Sequence, residues 1–193
     1  MRRLALRLLV PLALLVVQGA CAQSPDTPAR SGNAATARRD STRLKWHPSI
    51  ESALTAAAAS GKKVLVDVYA PWCPWCLRLQ RDVYTDDRIV EIVQAHFEIT
   101  RLNGEVLDDT VRFKGYTLSS RMLAGALGTQ GYPTTAFLDA TGRKITHLPG
   151  FAEAGEFGRV LRYVGTDAYL TQTFEQFTAA DSTRSTPATP RAQ

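Results

Sequence analysis

Val64-Leu65-Val66-Asp67-Val68-Tyr69-Ala70-Pro71-Trp72-Cys73-Pro74-Trp75-Cys76 decides how this chain folds. Its first half is apolar at nearly every position, as a strand covered on both faces must be. Asp67 alone breaks the run, and burying a carboxylate without compensation is expensive. The second half is a CxxC motif that follows the strand at once and opens a helix expected from Cys73 to Tyr84. That junction places the first sulfur at a helix amino terminus, where unpaired amide N–H groups and the helix dipole favour thiolate over thiol. Pro74 falls in the first turn, where its missing N–H costs nothing. Cys76, three residues on, lies within reach of Cys73 and can resolve a mixed disulfide.

The elements around this stretch alternate. Ile50–Ser60 is an alanine-rich helix, with Ser49 as its cap and Gly61 as its stop. Asp86–Ala95 reads as helix, Phe97–Leu102 as strand and Leu118–Leu127 as helix. Thr134–Leu138 and Lys144–Leu148 flank Asp139-Ala140-Thr141-Gly142, a turn suited to an antiparallel hairpin. Ala154–Val164 closes the set as a helix, and Tyr169–Phe177 adds a further turn or two. Alternation followed by a hairpin implies an α/β sandwich with a mixed sheet.

Both flanks differ from this core. Arg2, Arg3 and Arg7 precede the apolar run Leu8–Val17, so residues 1–22 read as an export signal. As a helix, Leu4–Val17 covers about 21 Å, short of a hydrocarbon layer ~30 Å thick. Ala20-Cys21-Ala22 suits cleavage after Ala22. Gly19-Ala20-Cys21 equally suits a lipoprotein signal in which Cys21 is acylated, although Gln18 departs from that pattern. Residues 23–43 hold no aliphatic side chain larger than Ala and are expected to form a disordered tether. Residues 178–193 are expected to form a disordered tail, which leaves one domain at 44–177. The net charge of +5 sits in these flanks, because residues 44–177 carry 14 basic and 15 acidic side chains. No footprint for a nucleic acid is present on the domain.

Other readings of the same residues are weaker. A zinc site needs two more ligands than CxxC supplies, and Cys21 and the scattered His47, His96 and His147 do not offer them. Leu77 after Cys76 excludes a CxxCH haem attachment. A purely structural disulfide over so short a loop would stabilise little. Asp67 as a satisfied core carboxylate, Pro133 as an ordinary turn proline, and Trp72 and Trp75 as plain packing residues remain the alternatives. No cofactor or metal is expected.

Residues 67–76 resemble the active-site segment of the thioredoxin family: a buried acid six residues before the first cysteine, an Ala between, and a Trp just before it. Gly131-Tyr132-Pro133-Thr134-Thr135-Ala136-Phe137 resembles the family's second signature, a cis-proline loop followed by a strand. Arg101-Leu102-Asn103 stands where the family often has Lys-Leu-Asn. The likeness runs from about Leu44 to Val164. It is nearest to the exported branch that includes the carboxy-terminal domain of the bacterial thiol:disulfide interchange protein.

The resemblance implies a thioredoxin fold, a three-layer sandwich with a mixed central sheet. It also implies roles. Cys73 is the nucleophile, Cys76 the resolving thiol and Asp67 the acceptor of the Cys76 proton, while Trp72, Pro74, Trp75, Tyr132 and Pro133 contact substrate. Cys73 is accordingly expected to be the accessible thiol and Cys76 the shielded one. Arg101 brings charge near Asp67 but cannot release a proton. Strong oxidants of this superfamily hold a His beside the second cysteine, where this chain has Trp75. A potential of about −270 to −180 mV and a reducing or exchanging role in the periplasm or cell envelope are therefore expected. The expected partners are substrate proteins with disulfides or thiols and a membrane thiol electron donor, with no nucleic acid, and with membrane contact only through a lipid anchor. The protein is expected to be a monomer. A disulfide-donating oxidase and a non-catalytic interaction module on the same fold are the competing functions.

Overall fold

The structure, a computed structural model, describes residues 44–184, with side chains described through Ala180. The signal segment, the tether, Cys21 and residues 185–193 of the tail lie outside the described residues. Five strands form the main sheet: β1 (Trp46–His47), β2 (Lys63–Tyr69), β3 (Phe97–Asn103), β6 (Thr134–Leu138) and β7 (Lys144–Pro149), in the order β1-β3-β2-β6-β7. β1, β3 and β2 run parallel, while β6 and β7 are antiparallel to their neighbours, so the sheet is mixed. Two short strands, β4 (Val111–Phe113) and β5 (Tyr116–Leu118), pair separately. The helices are α1 (Ile50–Ser60), α2 (Pro74–Arg78), α3 (Asp87–His96), α4 (Ser120–Ala126), α5 (Ala154–Gly165) and α6 (Phe174–Arg184).

The alternation of side chains along β2 builds both covering layers. Val64, Val66 and Val68 pack with Ile50, Ala53 and Ala57 of α1 and with Leu123 and Ala124 of α4. Leu65 points the other way, into Leu79, Val83, Ile89, Val93, Phe157 and Leu161. Strand residues two apart share a face, so Asp67 lies on the side of Leu65. The alanines of α1 let that helix approach the sheet closely, and Ala53 and Ala57 are fully buried. Ser49 forms a reciprocal capping box with Ser52, and Gly61 ends α1 in the left-handed region at φ 72°. In the β6–β7 turn, Asp139 Oδ1 accepts from the backbone N–H groups of Thr141 and Arg143.

Three features depart from the expectations. The helix after the CxxC motif is α-helical only to Arg78 and continues as a π turn over Leu79–Val83, where the Tyr84 N–H reaches back to the Leu79 carbonyl at 3.0 Å. A π turn inserts one residue into the helical register, which apolar periodicity does not reveal. The second feature is the β4–β5 hairpin. It turns on Lys114 at φ 53° and Gly115 at φ 81°, the two positive dihedrals of a type I′ turn, with Lys in place of the usual Asn or Asp. Leu118 consequently ends a strand, and α4 starts at Ser120 behind the Ser119 cap.

The third departure corrects the boundary at Phe177. α6 continues to Arg184, seven residues into the segment expected to be tail. Phe174 and Phe177 anchor it, with ring centroids 5.3 Å and 5.4 Å from Tyr163 of α5. Thr178, Ala179 and Ala180 then extend a helix already held by its first turn. Phe177→Ala should therefore destabilise the domain by about 1–2 kcal/mol, the scale of a half-buried aromatic contact. Urea unfolding followed by circular dichroism measures this, and an unchanged midpoint would show that α6 rests on the core without stabilising it.

Candidate active site

Cys73 and Cys76 are joined as a disulfide with their Cα atoms 5.3 Å apart. Cys73 is the N-cap of α2 in extended conformation, and its sulfur accepts from the Cys76 N–H at 3.1 Å. Pro74 occupies the first helical turn. The strand delivers Cys73 at the point where donors are unpaired and the dipole is positive, the setting that stabilises a thiolate. In this oxidised form both cysteines are buried at 2% exposure, so the disulfide itself does not display the contrast in accessibility expected of the two thiols. Ala70, Tyr69 and Tyr132 pack against them.

The rim is aromatic. Trp72 is 68% exposed and Trp75 50% exposed, one on each side of Cys73. The Trp72 ring meets Tyr132 edge-on at 5.9 Å, and Trp75 lies 5.4 Å from Phe151. Arg78 caps that second pair, 5.5 Å from the Trp75 ring centre and 4.7 Å from that of Phe151, and its guanidinium holds Glu153 at 2.6 Å. The Tyr132–Pro133 peptide bond is cis, and Pro133 is buried at the start of β6. Tyr132 donates its hydroxyl to Glu105 at 2.8 Å. Burial first, and then the Glu105 hydrogen bond and charge, push the Tyr132 phenol up to about 12.

Behind the disulfide lies a buried polar layer. Asp67 is 1% exposed and accepts from Arg101 Nε at 2.8 Å through Oδ2. Arg101 lies over the Tyr69 ring at 3.9 Å, and the Gln80 amide, turned with its oxygen toward the guanidinium, accepts from Nη2 at 2.7 Å. Gln80 is one helical turn beyond Cys76, so the ion pair sits beneath the turn that carries the second cysteine. Burial raises the Asp67 carboxyl above its ordinary range, and the charge and hydrogen bond of Arg101 pull it back only in part. Asp67 Oδ1, the Tyr84 hydroxyl and the Thr135 hydroxyl are buried and make no hydrogen bond of normal geometry.

All of the expected site residues among those described thus converge on one end of the sheet: Asp67, Trp72, Cys73, Pro74, Trp75, Cys76, Tyr132 and Pro133. Five others stand there that the sequence pattern does not single out: Arg78, Gln80, Glu105, Phe151 and Tyr84. Arg78 and Gln80 carry a legible signal, since they lie two and four residues after Cys76 on the helix it opens. Phe151 and Glu105 arrive from distant loops and carry none.

Gly104 is part of the same construction. A Cβ at that position would lie 2.6 Å from the Tyr132 hydroxyl and 2.7 Å from its ring edge. Gly104→Ala should push Tyr132 off Glu105, loosen its contact with Trp72 and lower disulfide-reducing turnover several-fold, with about 1–2 kcal/mol of lost stability from overpacking. Turnover and urea midpoint measured on the same preparation check this. Unchanged turnover would mean that the position of Tyr132 is irrelevant to the site.

Comparison with known proteins agrees with this arrangement. The family model described as thioredoxin-like domain matches residues 50–165. The thiol:disulfide interchange protein DsbD of Ralstonia nicotianae is 30% identical over 125 residues, which span 62% of this chain and 18% of that protein. The chain therefore covers less than a fifth of the length of that relative. Among solved structures, a thioredoxin from Thermus thermophilus superposes with a TM-score of 0.50 at 25% identity, over 63% of this chain and 86% of that one. A thioredoxin-fold protein from Helicobacter pylori superposes at 0.54 with 22% identity, over 65% and 88%. With a redox-spaced cysteine pair at the head of its helix, a cis-proline loop beside it and a family match over most of the folded chain, this protein belongs to the thioredoxin-like family.

Proposed function

We propose that this protein is a thiol–disulfide oxidoreductase of the cell envelope, which reduces or exchanges protein disulfides through Cys73 and Cys76. One observation carries the reading: the Cys73–Cys76 disulfide caps a helix amino end between two exposed tryptophans, above a buried carboxylate. The basic and apolar segment at residues 1–17 supports export, and the curated relative is named for thiol:disulfide interchange.

The reaction starts from the dithiol. Cys73, ionised at the helix end, attacks one sulfur of a substrate disulfide. The S–S bond breaks, a mixed disulfide forms, and the other substrate sulfur leaves as a thiolate. Cys76 then loses its proton to the Asp67 carboxylate and attacks Cys73 Sγ. This regenerates the intramolecular disulfide and releases the second substrate thiolate, so the substrate gains the two electrons that the cysteine pair loses. Trp72, Trp75 and Tyr132 offer apolar surface to the incoming segment, and the backbone of Tyr132 beside Pro133 is free to pair with it. A membrane thiol donor resets the pair.

Equilibration of the purified protein with glutathione buffers should give a potential of about −270 to −180 mV. Cys73→Ser should abolish insulin reduction, and Cys76→Ser should accumulate mixed disulfides. Absence of turnover in the intact protein would leave the fold as a binding scaffold.

The Asp67 role has its own signature. Its folded pKa lies above the unfolded value, so the native state loses stability as pH rises through that window, and Asn removes this loss. Asp67→Asn should match the parent in melting temperature at acid pH and equal or exceed it at neutral pH. It should also resolve the mixed disulfide about 10- to 100-fold more slowly near pH 7, the lower range for proton-transfer groups. The deficit should shrink at alkaline pH, where Cys76 ionises unaided. Equal rates from pH 6 to 9 would remove Asp67 from the reaction.

A further inference from the structure

Tyr84 ends the π turn and is buried between Trp46, at a ring distance of 5.1 Å, and Phe157, at 5.6 Å, both edge-on. Packing alone would be served by phenylalanine, since a buried hydroxyl without a partner is costly. The hydroxyl nevertheless lies in a polar corner. Thr135 is the cross-strand partner of Asp67 in the β2–β6 register, so the two side chains share one face. The Tyr84 hydroxyl approaches Thr135 closely enough to bias its own titration, although the contact falls short of a formed hydrogen bond. The Asp67 charge raises the same phenol further. Three oxygens that lack formed bonds thus face one another: Asp67 Oδ1, Tyr84 Oη and Thr135 Oγ1.

We propose that Tyr84 is a positioning residue of the redox centre, whose hydroxyl, with that of Thr135, supplies the donors that hold Asp67 Oδ1 in its ionised, proton-accepting form. This rests on the reading that Asp67 takes the Cys76 proton. Oδ2 is committed to Arg101, so Oδ1 is the oxygen left to receive the proton. When it does, the S–H bond of Cys76 breaks, its electron pair stays on sulfur, and an O–H bond forms on Asp67. Hydroxyls suit that site because they donate to the carboxylate and accept from the carboxylic acid. The charged and titratable groups that face Asp67 are Arg101 from β3, Tyr84 from the π turn, and the cysteine pair from α2. Phe157 from α5 and Trp46 from β1 are neutral, as is Gln80 behind Arg101. Burial keeps the Tyr84 phenol far above its ordinary value, so it remains a donor throughout the working range.

The test is the pH dependence of mixed-disulfide resolution in Tyr84→Phe, measured beside the parent and Asp67→Asn, with the Asp67 carboxyl followed by carbon NMR. Loss of one donor to a charged group should move the acid limb of the profile, and the carboxyl titration with it, alkaline by about one pH unit. The melting temperature should hold or rise, because the ring still fills its place. Thr135→Val should move both in the same direction by less, and it serves as the readout should Tyr84→Phe fail to fold. An unshifted profile in both variants, or a shift toward acid, would overturn the proposal. In that case a profile still lost in Asp67→Asn leaves the proton role of Asp67 standing with Tyr84 as packing. A profile unchanged in Asp67→Asn removes both.

Discussion

The contact between Asp67 and Arg101 is the constraint around which this end of the molecule is arranged. A carboxylate at 1% exposure inside a strand core costs several kcal/mol unless an opposite charge and hydrogen bonds offset it. Arg101 is placed to do so by register, since Asp67 and Arg101 are cross-strand partners in the parallel β2–β3 pair. A slip of one residue would turn Asp67 into the valine layer under α1 and leave Arg101 facing the wrong side. The pair therefore specifies strand alignment as well as charge. Arg101 in turn is held by the face of Tyr69 and the amide of Gln80, so the second cysteine's helix and the strand beneath it are tied through one guanidinium.

That tie also explains how the site keeps a reactive sulfur beside a buried acid without collapse of either. The disulfide sits at the sheet edge where β2 ends and α2 begins, a position of open backbone donors. The carboxylate sits below it, where water is scarce and proton affinity is raised. Helix-end stabilisation lowers the proton affinity of Cys73, while burial raises that of Asp67, so one junction separates the affinities of a nucleophile and a base. The choice of arginine over lysine sharpens this. Its charge is permanent, so the Asp67 environment does not change through deprotonation of its partner.

Much of this arrangement is legible in the amino-acid sequence. The apolar run interrupted at Asp67, the cysteine spacing and the turn at Asp139–Gly142 lead to the strand, the helix and the hairpin, because each rests on local periodicity or turn chemistry. The capping box of α1 is half legible: Ser49 stands out as a cap, but its partner Ser52 replaces the usual Glu or Gln. What escapes shares one physical character. β1 is two residues long, too short for any period, and is held by pairing with β3 and by His47 on Glu98 at 2.8 Å. The π turn is a change of register within a helix whose composition is unaltered. α6 depends on Tyr163, a residue of α5 whose face toward solvent or partner is fixed only by the fold. Tyr84 reads as the last residue of a helix, and nothing in its neighbours marks its hydroxyl as pointing into the core.

The surface around the site argues for the kind of recognition that the chemistry requires. The folded segment carries nearly equal numbers of acidic and basic side chains, so long-range charge contributes little to encounter. Exposed apolar area gathers instead at Trp72, Trp75 and Leu77, around a disulfide that is itself buried. Arg78 and Phe151 fix Trp75, while Tyr132 fixes Trp72, so the aromatic rims are held before a partner arrives and little side-chain freedom is lost on contact. An oxidoreductase that exchanges disulfides must release each partner after electron transfer, which favours a small apolar contact over an extensive charged one. Affinity then comes mainly from the transient covalent bond at Cys73, and the exposed tryptophans need only bring a substrate sulfur into line with it.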